Sequence, residues 1–220
     1  MNNQALAADY SYVLLLGHRG ARATREIPEN TLESFELCLQ HGCDGFEFDV
    51  RRTADGAAII CHDPASRGRE IAVSSAAELE LPTLEDVIQE FSSRAFLDIE
   101  LKVPGLERRV AASLREHPPK KGYVVSSFLP EVLTTLHELE SGISLGFIYD
   151  RHRTSVSFPL DFVIPHHRLV TRELIEETHA SGEKIITWTV NREADMRRFA
   201  EWGVDAIISG DTELLVRTLR

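Results

Sequence analysis

Cysteine and long apolar runs are scarce in this sequence of 220 residues. The three cysteines, Cys38, Cys43 and Cys61, lack the spacing of a metal site, so we expect reduced, structural thiols. Residues 1–10 contain no Lys or Arg, and the first apolar stretch, residues 13–16, is too short to span a bilayer. We therefore expect neither a signal peptide nor a membrane span, and a cytoplasmic location is the default.

Positive charge is also in short supply. The chain has 24 Lys and Arg residues against 35 Asp and Glu residues, which gives a formal net charge of −11. Such a field repels polyanions, so nucleic acids and anionic membrane surfaces are poor partners, and no stable membrane insertion is expected. A local basic pocket could still bind one phosphate group of a small molecule.

No linker rich in Pro, Gly or Ser divides the chain, and no low-complexity segment occurs. Apolar residues make up 43% and charged residues 27% of the sequence, which is typical of a globular protein. The length fits one α/β barrel. We therefore expect a single domain over residues 1–220, in which residues 1–12 form a short N-terminal extension.

Short β-rich segments alternate with amphipathic helices along the chain, which predicts a mostly parallel sheet. This many strands in a short chain favour an α/β TIM (β/α)8 barrel, with a short insertion after the second strand region. We expect an extra hairpin strand after the turn at Asp55-Gly56, and a loop instead of a helix over residues 150–159. The predicted strands are 13–16, 45–50, 58–62, 96–102, 123–127, 145–149, 162–165, 184–190 and 206–209; the predicted helices are 31–40, 83–91, 106–116, 130–140, 171–180, 194–202 and 212–219.

Two of these strands carry charge on one face. Side chains alternate along a strand, so Glu47 and Asp49 point to the opposite side from the apolar residues around them. The strand at 96–102 repeats the pattern with Asp98, Glu100 and Lys102. In a barrel, charged residues that face inward belong at the carboxyl ends of the strands, where active sites lie.

Such a group of carboxylates needs protonation, separation or a cation. Two carboxylates about 4 Å apart repel each other by roughly 4 kcal/mol at an effective dielectric constant of 20, a large cost beside a net stability of about 5–15 kcal/mol. The candidate ligands are hard oxygen atoms, which suit Mg²⁺ or Ca²⁺ better than Zn²⁺. Taken singly, each strand also fits a solvated edge or a simple ion pair; the repetition of the design favours a metal site.

Two histidines stand at the ends of two other predicted strands. His18 follows the first strand, and His62 ends the hairpin strand. Nearby carboxylates would keep an imidazole charged and raise its pKa, so one ring could act as an acid and the other as a base near neutral pH. Arg19 lies beside His18 and precedes Gly20, which permits close approach of the backbone, so Arg19 is suited to binding an oxyanion.

The sequence resembles the glycerophosphodiester phosphodiesterase family, one of the barrels similar to phosphatidylinositol-specific phospholipase C. The matching motifs follow one another in family order over nearly the whole chain, and the ordered set is far more specific than any one motif. The motifs are Gly17-His18-Arg19-Gly20, Pro28-Glu29-Asn30-Thr31, Glu47-Phe48-Asp49-Val50, Asp55-Gly56, His62-Asp63, Pro82-Thr83-Leu84, Glu100-Leu101-Lys102, Ser127-Phe128 and Trp188-Thr189-Val190-Asn191.

The resemblance implies roles for particular residues. One divalent metal ion would be held by Glu47, Asp49 and Glu100, and His18 and His62 would form the general acid–base pair. The other implied roles are phosphate contacts for Arg19 and Lys102, the glycerol side of the pocket for Trp188, and orientation of the first turn for Glu29 and Asn30.

This sequence departs from the family pattern in three places. Only residues 64–81 separate His62-Asp63 from Pro82-Thr83, which predicts an open leaving-group pocket. Ser209-Gly210-Asp211-Thr212 replaces the usual late turn. The segment His166-His167-Arg168 has no clear counterpart, and we expect its cations to be solvated.

The function implied is metal-dependent cleavage of a glycerophosphodiester to sn-glycerol 3-phosphate and an alcohol. The sequence leaves open which histidine is the acid, and whether water or the substrate's own 2-hydroxyl attacks. An activity of the lysophospholipase D type on a lipid is the alternative within enzymes, and a catalytically idle barrel that binds glycerol phosphate is the alternative outside them. A barrel lyase or isomerase that uses Lys102 as a Schiff base is disfavoured, because Glu100 on the same strand face should keep the lysine charged.

Overall fold

Eight parallel strands form the core of the molecule. A computed structural model describes residues 13–151 and 156–220, so the expected extension at 1–12 and part of the 150–159 loop lie outside the described residues. The strands are β1 (Leu14–His18), β2 (Gly45–Arg52), β3 (Ala58–Ile60), β4 (Ala65–Ser66), β5 (Arg69–Glu70), β6 (Phe96–Leu101), β7 (Tyr123–Ser127), β8 (Leu145–Tyr149), β9 (Phe162–Pro165), β10 (Lys184–Thr187) and β11 (Ala206–Ser209).

Helices follow most of these strands and cover the outside of the sheet. They are α1 (Leu32–Gln40), α2 (Ala76–Leu79), α3 (Leu84–Phe91), α4 (Glu107–Glu116), α5 (Pro130–Leu139), α6 (Arg172–Ala180), α7 (Glu193–Trp202) and α8 (Thr212–Leu219). Helices of this length are about half as long as a bilayer requires, and within the described residues none is long and apolar enough to cross a membrane.

The sheet closes on itself. Strands β1, β2, β6, β7, β8, β9, β10 and β11 pair in parallel in this order, and β11 pairs back with β1. The predicted TIM (β/α)8 barrel is therefore confirmed. Strand β3 pairs antiparallel with β2 on the rim, which confirms the extra hairpin strand.

The alternation predicted for β2 holds in three dimensions. Phe46, Phe48 and Val50 are fully buried between the sheet and the helices. Phe35 of α1 stacks on Phe46 with a centroid distance of 4.3 Å and an interplanar angle of 3°. Because these apolar side chains take the outer face, the acidic residues between them point into the barrel.

Most element boundaries agree with the sequence prediction to within one residue. The helices predicted to begin at Thr31, Thr83 and Thr171 start one residue later, because each threonine is the N-cap and its side chain accepts a backbone N–H of the first turn. Strand β10 was predicted to reach residue 190 but ends at Thr187. The insertion at 64–81 contains the two-stranded β4–β5 ladder and α2, which the sequence prediction missed.

Candidate active site

Strands β2 and β6 bring acidic side chains together inside the carboxyl end of the barrel. Their register pairs Glu47 with Asp98 and Asp49 with Glu100. Glu47, Asp49 and Glu100 each offer a carboxylate oxygen, and these atoms lie within 4.8 Å of one another. All three residues are buried. The structure thus brings together the three predicted metal ligands.

Two cations balance part of this negative charge. Lys102 Nζ lies 2.5 Å from Glu100 Oε1 and 3.2 Å from Asp49 Oδ1. Arg19 donates its backbone N–H to Glu47 Oε2 at 3.0 Å, and its Nε lies 3.1 Å from Asp49 Oδ2. Burial would lower the pKa of Lys102, but Glu100 and Asp49 outweigh it and raise that pKa. The lysine is therefore charged, as predicted, which argues against Schiff-base chemistry.

Glu29 and Asn30 orient these groups from the loop before α1. The Asn30 amide donates to Asp49 Oδ2 at 2.8 Å, and its carbonyl oxygen accepts the backbone N–H of Asp49. Glu29 Oε1 accepts from Arg19 Nη1 at 2.7 Å, and Glu29 Oε2 lies 2.6 Å from Arg22 Nε. The backbone makes this contact possible, because Asn30 lies in the left-handed region with φ 59°.

The carboxyl groups differ in proton affinity. Burial, followed by the charge of Asp49, raises the pKa of Glu100 to about 7 and that of Glu47 well above its usual range. Burial also acts on Asp49, but Lys102, Arg19 and the Asn30 amide together hold its pKa below the usual value. The cluster thus holds Asp49 as a carboxylate and two acids that give up their protons less readily.

His18 lies against the acidic cluster, with its Nε2 3.8 Å from Glu47 Oε2. The expectation that carboxylates keep this ring charged is wrong. Burial lowers the pKa of His18 to about 3, and the charges of Arg19 and Arg22 add to the effect. Arg22 Nη1 lies 3.2 Å from His18 Nδ1. A guanidinium only donates, so Nδ1 accepts and the neutral ring carries its proton on Nε2.

His62 stands at the mouth of the site in a different setting. Its Nδ1 lies 2.8 Å from Asp63 Oδ1, and its side chain is 36% exposed. A carboxylate only accepts, so Nδ1 carries the proton and the neutral ring has a free lone pair on Nε2. Sequence analysis noted Asp63 only as part of a motif; the structure shows that it fixes the tautomer of His62.

One cavity of about 130 Å³ joins the predicted residues. Its wall has an apolar part formed by Phe128, Ile148, Ile164, Trp188 and Ile208. Trp188 meets Phe128 edge to face, with ring centroids 5.6 Å apart. The predicted site residues that line the cavity are His18, Arg19, Glu47, His62, Glu100, Lys102 and Trp188; Asp49 lies beside them, only 1% exposed.

Sequence reasoning missed two contributions to the site. Asp98 was placed on the inner face, but not as a cavity residue: it is fully buried and its Oδ1 accepts from Ser126 Oγ at 2.5 Å. The alternation of side chains along β6, which places Asp98 on the inner face, was the available signal in the sequence. Arg22 was missed because nothing in a sequence marks an arginine four residues after a histidine as its neighbour in the fold.

The acidic cluster has the chemistry to hold a divalent cation. Glu47 Oε1 is buried and has no hydrogen-bond partner in the described residues. An unsatisfied carboxylate oxygen of this kind is costly, and a cation would satisfy it. The donors are all oxygen atoms, which favours Mg²⁺ or Ca²⁺.

Curated sequences similar to this chain include two glycerophosphodiester phosphodiesterases. The protein of Caldanaerobacter subterraneus subsp. tengcongensis is 26% identical, with 94% of this chain and 98% of that protein covered. The protein of Bacillus subtilis is also 26% identical, with 92% of this chain and 85% of that protein covered.

Solved structures show the same fold at low identity. The glycerophosphodiester phosphodiesterase of Thermotoga maritima matches with a TM-score of 0.83 at 24% identity, over 94% of this chain and 98% of that one. A phosphodiesterase of Oleispira antarctica, solved with the product sn-glycerol-3-phosphate, matches with a TM-score of 0.81 at 23% identity, over 96% and 98% of the two chains.

The family match covers the site. The sequence model of the glycerophosphoryl diester phosphodiesterase family matches residues 18–75 and 65–214. These segments include every candidate site residue, from His18 to Trp188. The chain therefore belongs to the glycerophosphoryl diester phosphodiesterase family.

Proposed function

We propose that this protein hydrolyses glycerophosphodiesters to sn-glycerol 3-phosphate and an alcohol, with the help of one divalent cation. The observation that carries the proposal is the convergence of Glu47, Asp49 and Glu100 within 4.8 Å, beside a cavity that His18 and His62 also line. The family membership and the names of the similar proteins support the substrate class.

Glu47, Asp49 and Glu100 would hold the cation, Mg²⁺ or Ca²⁺. When bound, it would polarise a phosphoryl oxygen and offset the charge that develops in the transition state. Arg19 and Lys102 line the same cavity and would contact the remaining phosphate oxygens. The side chains of Arg19 and Lys102 also contact carboxylates of the cluster, so substrate and the acidic residues would share these two positive charges.

The ring partners of the histidines suggest how protons move. Asp63 holds the Nδ1 proton of His62, so His62 Nε2 is free to take a proton from the attacking hydroxyl. A new P–O bond forms as the bond to the alcohol oxygen breaks. A bound phosphate would oppose the charges of Arg19 and Arg22 and favour protonated His18, which would give its Nε2 proton to the departing alkoxide.

The attacking hydroxyl belongs either to water or to the 2-position of the substrate's glycerol. Attack by the substrate's own hydroxyl would give a cyclic phosphodiester, which water then opens. Quenched reactions followed by ³¹P NMR separate these routes, because only the second produces a transient cyclic signal.

A small polar alcohol is the preferred leaving group over a long lipid tail. A contiguous apolar surface next to the cavity would favour a lipid substrate. Within residues 13–151 and 156–220, Val73 is the only large apolar side chain that is strongly exposed, at 72%. One isolated valine does not make such a surface.

The test is hydrolysis of a panel of glycerophosphodiesters, with and without EDTA. We expect release of sn-glycerol 3-phosphate that EDTA abolishes and Mg²⁺ or Ca²⁺ restores. His18→Ala and His62→Ala should each lower turnover by about 10²–10⁴-fold, while substrate still raises the melting temperature. Release of sn-glycerol 3-phosphate that EDTA does not suppress would contradict the role of the metal ion. Unchanged turnover in both variants would contradict the acid–base assignment of the two histidines.

A further inference from the structure

The segment His166-His167-Arg168 follows β9 at the carboxyl end of the barrel, next to the substrate cavity. Its expected solvation holds for the exposed Arg168, but His166 and His167 are half-buried. The backbone fastens the segment to the end of β10: His166 forms a parallel bridge with Trp188, and the His167 N–H donates to the Trp188 carbonyl at 2.7 Å.

The His166 ring packs on the indole that lines the cavity. The two rings meet at 82° with centroids 5.0 Å apart, in the edge-to-face geometry that aromatic pairs favour. Phe128 contacts Trp188 as well, so the indole has ring contacts with both residues. Phe128 and Trp188 line the cavity, whereas His166 does not. We therefore expect an effect of His166 on substrate to pass through Trp188.

The imidazole itself is held in place. The backbone N–H of Arg168 donates to His166 Nδ1 at 3.2 Å, and the His167 ring lies 4.2 Å away. The indole is also anchored, because Trp188 Nε1 donates to the Ile164 carbonyl at 3.0 Å. Each ring of the pair thus has a hydrogen bond to the backbone that fixes its orientation.

We propose that His166 is a positioning residue that holds the Trp188 indole against Phe128 and thereby sets the affinity of the cavity for the substrate's glycerol portion. This inference rests on the proposed function for the nature of the ligand, but not for the contact between the rings. The contact between the two rings is the observation behind this inference, so an aromatic residue at position 166 should preserve the affinity for substrate.

The first experiment compares steady-state kinetics of the wild type, His166→Ala and His166→Phe with one glycerophosphodiester. We expect His166→Ala to raise KM about two- to tenfold, the range that corresponds to one aromatic pair, with kcat nearly unchanged. His166→Phe keeps a ring against Trp188 but loses the Nδ1 acceptor of the Arg168 N–H, so it should restore most of the KM. A folded His166→Ala enzyme with unchanged KM, or a phenylalanine variant no better than alanine, would overturn the proposal.

His137 offers a matched control. It is also half-buried and stacks on Phe158 at 4.3 Å, but neither ring lines the cavity. His137→Ala should lower the melting temperature and leave KM unchanged. A rise in KM equal to that of His166→Ala would show a general loss of stability and contradict the proposal. In a Trp188→Ala background, His166→Ala should have no further effect on KM; a further rise would mean that His166 acts on substrate directly.

A second readout does not depend on activity. The sequence has two tryptophans, Trp188 and Trp202, so Trp202→Phe leaves Trp188 as the only indole fluorophore. In this background we expect His166→Ala to increase acrylamide quenching of Trp188, and His166→Phe to leave quenching unchanged. Unchanged quenching with alanine would overturn the positioning role. If the wild type releases no sn-glycerol 3-phosphate while quenching behaves as expected, the proposed function fails and the ring contact stands.

Discussion

Four carboxyl groups, those of Glu47, Asp49, Asp98 and Glu100, and the cations Arg19 and Lys102 share the interior of the barrel near its carboxyl end. The individual environments decide which groups are charged. Asp49 has both cations and an amide as partners and stays a carboxylate, whereas Asp98 has a single serine and a raised pKa. A proton or a cation is therefore needed where the protein's own positive charge is insufficient.

Arg22 contacts the His18 ring and helps to lower its pKa. We expect Arg22→Ala to lower kcat about tenfold, by analogy with the 10–100-fold cost of losing a residue that orients a metal-bound histidine. Loss of the guanidinium removes a charge that lowers the pKa of His18, so the limb of the kcat/KM profile that is set by His18 should move to higher pH. Arg22→Lys keeps the charge and should retain the wild-type pH profile. Identical profiles for alanine and wild type would contradict this role.

Asp98 should make the metal-free protein less stable as pH rises. Burial raises the pKa of Asp98 to about 7, so the folded state binds its proton more tightly than the unfolded state does. Between about pH 4, the unfolded value, and pH 7, this group costs on the order of 1 kcal/mol of stability per pH unit. In urea unfolding with EDTA, the stability of Asp98→Asn relative to the wild type should increase between about pH 4 and pH 7, and it should stay constant above pH 7. A difference independent of pH would contradict the assignment.

Sequence patterns predicted the side chains that converge but not their protonation. The alternation in residues 45–50 and 96–102 was enough to aim Glu47, Asp49 and Glu100 inward, since it follows from strand geometry alone. The direction of the pKa shift of His18 was wrong because it depends on burial and on Arg22, which only the folded chain brings to 3.2 Å.

At the scale of elements, α1 and β2 form the part of the barrel wall that presents two metal-ligand candidates. Phe35 of α1 stacks on Phe46 and meets Phe91 of α3 edge on, at 6.0 Å. These contacts fix β2 against its helices, so Glu47 and Asp49 are held by an outer apolar layer that does not line the cavity.

Phe35→Ala should test this outer layer. Phe35 is fully buried, and removing a buried phenylalanine costs about 3–5 kcal/mol of unfolding free energy. Val73→Ala, at an exposed position, is the control and should stay within about 0.5 kcal/mol of the wild type. A loss below 1 kcal/mol for Phe35→Ala, measured by urea unfolding, would contradict the packing described.

Strands formed by an apolar run of residues were predictable, and the short elements of the 64–81 insertion were not. The strands at residues 123–127, 145–149, 162–165 and 206–209 match the prediction residue for residue. In contrast, β4 and β5 have two residues each, none of them buried, and α2 is a single turn, so no apolar run marks these elements in the sequence. The Asn191 side-chain oxygen accepts from the Ser209 hydroxyl and the Gly210 backbone N–H at the neighbouring strand end, a contact that no periodicity in the sequence predicts.

At the scale of the whole molecule, closure of the barrel brings β1 next to β2 and so places His18 beside Glu47. The number of alternating strands predicted this closure. The contact between His166 and Trp188 could not be predicted in the same way, because it depends on where β9 and β10 end relative to each other.

Cation binding should depend on pH. Ligation needs ionised carboxylates, and burial and the charge of Asp49 raise the pKa of Glu100 to about 7. Below that value the cation must displace a proton, so affinity should fall up to about tenfold per pH unit for each proton released. Calorimetry at pH 6 and pH 8 should therefore show tighter binding at pH 8, with protons released on binding. Equal affinity at the two values would contradict this linkage.

The most direct test of the central claim is the number of divalent cations bound per chain after EDTA treatment, measured by calorimetric titration with Mg²⁺ and with Ca²⁺. We predict one site in the wild type, lost in Glu47→Gln and in Glu100→Gln while both variants remain folded by circular dichroism. A wild type that binds neither cation, or variants that bind as tightly as the wild type, would contradict the account.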